Sequence, residues 1–125
     1  MRYLCLVHMD LKELGEMPHD ERSALNAAHW ALNDTLRDSG NFLIAEALDP
    51  PDAAACIRVR NGNATVTDGP FAETKEMIAG FYVIEARDMK EALDIASRIP
   101  AAALGTIEVR PACQLEVEGQ VPRWG

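Results

Sequence analysis

Apolar residues recur along the chain with spacings that predict a mixed set of strands and helices. Residues 3–7 are apolar at odd and even positions alike, which is typical of a strand buried on both faces. Residues 20–39 place apolar side chains every three or four positions, which predicts a helix packed on a sheet. Asp20 is expected to cap this helix, and Gly40 to end it in a left-handed conformation. The stripe facing the sheet would contain Leu25, Ala28, His29, Leu32 and Leu36.

The middle of the chain predicts a hairpin between two strands. Residues 41–48 are expected to be a short extended segment, which ends at Pro50 and Pro51. Alternation in residues 54–60 predicts a strand with a polar face, and the turn sequence Asn61-Gly62 predicts that residues 64–67 return beside it. A long charged loop follows. Residues 80–86 are then expected to form a second strand that is apolar on both faces.

The last third of the chain predicts a short helix and a final strand. Asp88 and Glu91 form a start that resembles a capping box, and Pro100 ends the helix. Its inner stripe would contain Met89, Ala92, Leu93 and Ala96. Residues 106–111 alternate as a strand. The element order is the split βαβ pattern of an α+β, ferredoxin-like fold, with one domain over residues 1–116 and a C-terminal tail over 117–125.

This fold leaves one face of the sheet without a cover. Its two central strands are apolar on both faces, whereas two helices cover only one face. The simplest solution is a homodimer in which two sheets pack face to face, giving a dimeric α/β barrel with a cavity between the sheets. In the alternative, residues 112–125 cover the face within a monomer.

Composition and charge exclude several classes of protein. Hydrophobic residues make up 48% and charged residues 26% of the chain, as in ordinary globular proteins. The formal net charge of −8 disfavours binding to nucleic acid or to an anionic membrane. The apolar run at the N-terminus is too short for a signal peptide or a membrane span.

The cysteines and histidines indicate neither a disulfide framework nor a metal site. Cys5, Cys56 and Cys113 are far apart and include no C-x-x-C pair, which fits a reducing cytoplasm. Each cysteine is expected to be a small buried side chain in a strand. The three histidines lack ligand spacing, and no nucleotide-binding or phosphate-binding motif occurs, so we expect no metal and no cofactor.

One segment carries a resemblance to a known family. Residues 66–76, centred on the sequence Asp-Gly-Pro-Phe at 68–71, resemble the DGPF-containing branch of the YCII-related proteins. The resemblance extends over roughly residues 1–116 and includes residues 27–29, 58–62, 80–85 and 107–111. It implies a ferredoxin-like fold and a dimeric α/β barrel. It implies no established activity, although some YCII-like enzymes are thought to use a His-Asp dyad and many DGPF genes lie near those of extracytoplasmic-function sigma factors.

The chain departs from the pattern of that dyad. The histidine of YCII-like proteins lies on the first helix and maps to His29. Their aspartate belongs to an Asp-Pro pair after the second helix, where this chain has Ile99-Pro100. A carboxylate for His29 would therefore come from Asp68 or Glu73. His8 also stands at the end of the first strand, where relatives more often carry an aromatic residue.

The leading interpretation is a cofactor-free acid/base enzyme that performs an elimination or isomerisation on a small polar organic molecule. His29 would be the base, oriented by Asp68 or Glu73. The expected substrate-binding residues are His8, Arg58, Glu73, Lys75 and Tyr82, with Lys75 or Arg58 holding an anionic group.

Blander interpretations stay open beside this one. An alternative role for His29 is a hydrogen bond to backbone at the core edge. The alternative for the charged loop is a solvated surface, and the alternative for Arg58 is a structural ion pair. A rival function is a non-enzymatic regulatory module that meets a protein partner, as in sigma-factor control, through residues 68–76. A third is a stable dimer with a filled cavity that acts through its surface.

Overall fold

The computed structural model describes residues 1–120 and shows an α+β protein with three helices. The strands are β1 (Arg2–Met9), β2 (Phe42–Ala47), β3 (Ala55–Arg60), β4 (Asn63–Asp68), β5 (Met77–Glu85) and β6 (Thr106–Pro111). The helices are α1 (Leu11–Glu16), α2 (His19–Asp38) and α3 (Met89–Ser97), with 3₁₀ turns at Pro51–Ala53 and Pro100–Ala103.

Four of the strands form one antiparallel sheet in the order β2-β5-β1-β6. This order, with α2 after β1 and α3 after β5, is consistent with the predicted ferredoxin-like fold. β3 and β4 form a separate two-stranded sheet that is inserted between β2 and β5. The hairpin turns at Asn61 and Gly62, whose φ angles of 52° and 76° are those a tight turn of this kind requires.

The hydrophobic core lies between the helices and one face of the sheet. β1 contributes its odd-numbered residues, and β5 contributes Tyr82 and Ile84, which pair with Cys5 and Tyr3 of β1. α2 buries Leu32 and Leu36, and α3 buries one small stripe. Besides Leu32, Leu36, Tyr82 and Ile84, the core side chains are Tyr3, Cys5, Val7, Met9, Ala86, Ala92, Ile95, Ala96, Ile99 and Ala101.

The opposite face of the sheet, here called the open face, is apolar at its centre. Leu4 pairs with Val83, and Leu6 pairs with Phe81, all of them half-buried. The prediction that both central strands are apolar on both faces is therefore confirmed. Residues 112–120, part of the segment that would cover the sheet in the monomer alternative, are exposed, and residues 121–125 lie outside the described residues. The domain boundary at residue 116 stays a prediction.

The structure corrects several local expectations about the helices. Asp20 is not the cap of α2, because the helix begins at His19 after Pro18 and has no side-chain cap. Asp10 instead caps the short α1, a helix that the hydrophobic pattern did not predict. Asp88 caps α3 as predicted, with its carboxylate 2.9 Å from the Glu91 amide nitrogen. Gly40 ends α2 with a φ of 79°, also as predicted.

Three expected core positions are exposed. Ala28 of α2 and Leu93 of α3 face solvent, and Ile95 takes the buried position on α3. Met89 at the start of α3 is also exposed. Cys113 is exposed beyond β6, whereas Cys5 is a buried core residue. Within residues 1–120, the helices include none with the length and apolar character needed to cross a membrane.

Candidate functional site

A cleft of about 590 Å³ lies between the first two helices and the β2–β5 side of the sheet. α1 supplies Leu11 and Leu14, and the chain after β2 supplies residues 48–51. Trp30, which is 74% exposed, stands in its wall on α2. A cleft of this size that combines apolar walls with a few polar groups is typical of small-molecule sites.

His29 and Tyr82 meet in this cleft. His29 Nδ1 lies 2.6 Å from the Tyr82 hydroxyl oxygen, and the two rings stack with centroids 6.0 Å apart. The pair joins α2 to the central strand β5. Tyr82 is buried, and His29 is half-buried. The structure thus brings together two residues that the sequence placed in the candidate site.

Burial sets the protonation of both groups. It lowers the pKa of His29 below its ordinary value, so the imidazole is neutral at pH 7. Burial, together with the nearby Cys5 thiol, raises the pKa of Tyr82 to about 12, so the phenol keeps its proton. The contact holds one hydrogen, which is donated either by the imidazole Nδ1–H or by the tyrosine O–H. When Nδ1 donates it to the tyrosine oxygen, the other ring nitrogen, Nε2, has a free lone pair and can act as a base.

A polar stripe of α2 extends the site on both sides of His29. Arg22, Asn26 and Asn33 line the same cleft. Asn33 Oδ1 is buried and, among residues 1–120, has no hydrogen-bond partner. These positions follow one another at spacings of four, three and four, which places them on one helix face. Sequence reasoning missed this stripe, although that spacing was a signal that could have found it.

The other predicted site residues lie elsewhere. Asp68 and Arg58 belong to the exposed hairpin, and Glu73 and Lys75 belong to the exposed loop after it. None of these four residues lines the cleft. The hydrogen-bond partner that the structure gives His29 is a hydroxyl rather than a carboxylate. The assignment of Asp68 or Glu73 as its partner stays a prediction.

His8 lies in a second polar cluster, on the open face. Its Nε2 is 3.1 Å from Glu108 Oε1, while Arg110 Nη2 is 2.6 Å from Glu108 Oε2. The hydrogen bond from Arg110, and to a smaller extent the one from His8, holds the pKa of the Glu108 carboxyl below its ordinary value. The three residues are neighbours because β1 and β6 pair in register here. His8 is therefore separated by the sheet from the face that carries Tyr82.

Metal-ligating side chains are dispersed over the molecule. Across residues 1–120, no three His, Cys, Asp or Glu side chains are grouped as ligands of an ion would be. The polar groups of the cleft are imidazole, phenol, amide, guanidinium and the carboxylates of Glu46 and Asp49, which suit hydrogen bonding to an organic molecule.

The family model of the YCII-related domain matches residues 1–116. This chain belongs to the YCII-related family. A relative from Rhizobium meliloti (strain 1021), described as an uncharacterized protein, is 46% identical over 124 residues, which are 98% of this chain and 99% of the relative.

A solved structure is also similar to this YCII-related protein. It is the 5-chloro-2-hydroxyhydroquinone dehydrochlorinase (TftG) from Burkholderia phenoliruptrix AC1100, in complex with 2,5-dihydroxybenzoquinone. The two proteins are 18% identical, with a TM-score of 0.49, and the match covers 91% of this chain and 95% of the other.

The position of the expected dyad aspartate is part of the core in this YCII-related protein. Ile99 is buried, and Pro100 begins the 3₁₀ turn that follows α3. An aliphatic side chain at this place supplies packing and no charge. The hydrogen bond that the structure gives His29 is the one with the Tyr82 hydroxyl.

Proposed function

We propose that the cleft binds a small polar organic molecule and that His29 acts on it as a base, without a cofactor. The observation that carries this proposal is the 2.6 Å contact between His29 Nδ1 and the buried Tyr82 hydroxyl inside the cleft. Tyr82 fixes the imidazole ring, which is the task sequence reasoning gave to a carboxylate. A fixed, neutral imidazole is ready to accept a proton at pH 7.

The reaction class is elimination or isomerisation. His29 Nε2 takes a proton from a C–H or O–H group that a neighbouring carbonyl or similar group makes acidic. In an elimination, the electron pair left behind forms a double bond and expels a leaving group with its bonding electrons. In an isomerisation, the imidazolium returns the proton to a different atom of the same molecule. Both reactions balance without an oxidant or a metal.

The polar stripe of α2 would orient the substrate. Arg22 supplies a guanidinium that suits a carboxylate or another anionic group. The Asn33 amide oxygen needs a donor, which a hydroxyl or amine of the ligand would provide. Asn26 lies between Arg22 and His29 along the stripe and adds a further donor and acceptor. In this proposal, Arg22 takes the anion-binding role that was predicted for Lys75 or Arg58.

The assembly proposed for this activity is the homodimeric α/β barrel. The half-buried apolar centre of the open face supports it, because a second copy would remove that centre from water. The Asp68-Gly69-Pro70-Phe71 loop supports placement in the DGPF branch of the family. Three free cysteines support the reducing cytoplasm as the compartment.

A second candidate function is supported by the loop after the hairpin. Phe71 is 87% exposed, and Asp68, Glu73 and Lys75 stand around it in exposed positions. Such a loop fits the regulatory alternative, in which the protein meets a macromolecular partner. The cleft with its His29–Tyr82 pair is left unused by that alternative, so we place it second.

Small-molecule stabilisation of the purified protein tests the leading proposal. A panel of hydroxylated, keto and halogenated carboxylic acids would be screened by thermal shift on the wild type, because a ligand of the folded state raises Tm by mass action. Any stabilising compound would then be incubated with the protein, and proton exchange or product formation followed by NMR. We expect His29→Gln to abolish turnover and Arg22→Gln to weaken binding.

The matched control is His19→Gln, since His19 is an exposed histidine at the start of the same helix. It should keep both the Tm shift and the turnover. Turnover that survives in His29→Gln would remove His29 from the chemistry. A panel compound that is bound and turned over equally well by the Arg22 variant would show that the anion is held elsewhere.

A further inference from the structure

The β3–β4 hairpin presents an apolar side that nothing in residues 1–120 covers. Ile57 and Val66 are directly opposite each other across the two strands and are 69% and 62% exposed. Val59, on the same side, is 57% exposed. The two strands bond to each other and to no third strand of the described chain.

A free two-stranded hairpin is marginally stable in water, so a hairpin of this kind needs a surface to pack on. With Phe71 beyond its base, the hairpin exposes on the order of 500 Å² of apolar side chain, within the roughly 300–600 Å² of a typical monomer's largest patch. The largest apolar patch of a monomer is often functional. We therefore expect the apolar side of the hairpin to pack on another protein surface.

A second copy of this chain offers the matching surface. The open face carries its own apolar centre, and towards the β2 side Ile44 and Ile78 are 44% and 41% exposed. Both surfaces belong to the same chain. In a dimer with a twofold axis, the hairpin of each copy therefore covers the open face of the other. Together they approach the roughly 800 Å² that each partner buries in a standard stable interface.

Charge favours the same partner. β3 carries Arg58 and Arg60, and within residues 1–120 neither has a carboxylate at ion-pair distance. The chain as a whole has a net charge of −8, so this hairpin is a basic arm on an acidic body. Glu46, which shares the open face through its pairing with Phe81, has no cationic partner among the described residues either. Arg58 and Arg60 lie on the side of the strands opposite Ile57, so this charge difference steers two copies together without a direct ion pair.

We propose that the β3–β4 hairpin is a dimerisation arm, whose apolar side packs on the β2 side of the open face of a second copy. The central parts of the two open faces meet, and each arm covers the partner's Ile44 and Ile78. This inference rests on the homodimer proposed above but not on the chemistry of the cleft. It assigns a role to an insertion that the four-stranded fold does not need.

The dimer dissociation constant in sedimentation equilibrium tests the arm. Replacing the apolar pair, Ile57→Ser with Val66→Ser, should raise this constant roughly tenfold or more, because buried apolar anchors dominate an interface. The control replaces the pair on the other side of the same strands, Arg58→Lys with Thr65→Ser, and should leave it nearly unchanged.

A mixed dimer shows where the arm lies even if the apolar variant loses its hairpin. A spin label is placed at Thr65→Cys in a chain that also carries Cys56→Ser and Cys113→Ser. This chain is mixed with an unlabelled, ¹⁵N-enriched copy, so that any broadened signal belongs to the partner. Broadening of the Ile44 and Ile78 amides supports the arm.

The outcomes separate the two proposals. A wild type that stays monomeric overturns both the barrel and the arm. A dimer that shows no broadening at Ile44 and Ile78, or that the apolar double variant leaves intact, overturns the arm alone. Both measurements are made without ligand, because Glu46 and Ile78 also line the His29 cleft, so a failure of the cleft chemistry enters neither result.

Discussion

His29 Nδ1 lies 2.6 Å from the Tyr82 hydroxyl oxygen, a contact that ties α2 to the central strand of the sheet. The two residues are 53 positions apart in the chain. Their contact is the point where the fold and the candidate chemistry coincide, because the hydroxyl that helps to close the core also holds the imidazole. A substitution at either residue therefore tests packing and chemistry together.

Tyr82→Phe should lower the free energy of unfolding by roughly 1–2 kcal/mol, since it leaves Nδ1 of a half-buried imidazole without its partner. Urea denaturation would measure the change. Tyr3→Phe is the control, because Tyr3 is equally buried but its hydroxyl contacts only the Met1 sulfur at 3.9 Å. A Tyr3 variant as unstable as the Tyr82 variant would show that the His29 contact contributes little.

Stability should fall as the pH is lowered through about 6.5, the ordinary pKa of histidine, because of His29. Burial lowers the pKa of His29 in the folded protein, so below that pH the unfolded chain binds more protons than the folded one. Above that pH the folded and unfolded states bind the same number of protons at His29, so its contribution to the free energy of unfolding is constant. Urea midpoints at about pH 7.5 and 5.5 would show the difference.

His29→Gln should reduce that pH dependence, whereas His19→Gln at the exposed start of α2 should leave it intact. Equal slopes for the wild type and the His29 variant between those two pH values would contradict the assignment. Arg110 and His8 lower the pKa of carboxylates such as Glu108, so these groups change stability at more acidic pH. They do not contribute to the difference between the two pH values.

Gly105→Ala should destabilise the protein by roughly 1–3 kcal/mol through steric overlap. A Cβ at this position would overlap the carbonyl oxygen of His8, a backbone atom of β1 that cannot move aside. Gly15→Ala in α1 is the opposite case, since its Cβ would meet nothing within 4 Å and alanine favours a helix by up to about 1 kcal/mol. Thermal unfolding of both variants checks the prediction, and a tolerated Gly105→Ala would place β6 farther from β1.

The three thiols should react with an aromatic disulfide reagent in a fixed order. Cys113 is exposed and should react first. Cys56 is half-buried, with its sulfur 3.4 Å from the Gly69 carbonyl oxygen, and should follow. Burial raises the pKa of Cys5 to about 11, so this thiol should react only on unfolding. Cys113→Ser should remove the fast phase, and a Cys5 that reacts in native protein would contradict the core described above.

Much of the fold was predictable because its signals are local. The alternation of β6, the turn at Asn61-Gly62 and the cap at Asp88 each depend on a few adjacent residues. The predicted core residues were wrong where two neighbouring positions were equally apolar. Leu93 and Ile95 are both apolar residues of α3, and only the packing of that helix on β6 decides which of them is buried.

The candidate site was predictable only in part. His29 was found from its helix position together with the family resemblance, and Tyr82 was considered for its place in a central strand. Asp68 was favoured as a partner because a histidine base usually needs a carboxylate, and a sequence gives no distance between a helix and a distant strand. The contributions of Arg22, Asn26 and Asn33 became visible once α1 and β2 formed the opposite wall of the cleft.

By itself, the sequence determined the order of elements, the apolar character of both sheet faces and the acidic charge of the chain. These properties follow from hydrophobic periodicity, turn chemistry and composition, which are sums over neighbouring residues. Only the tertiary structure decided that the Tyr82 hydroxyl meets His29, that His8 lies across the sheet from the cleft, and that the β3–β4 hairpin stands apart from the main sheet. Those relationships join residues far apart in the chain, and the packing of the helices on the sheet fixes their distances.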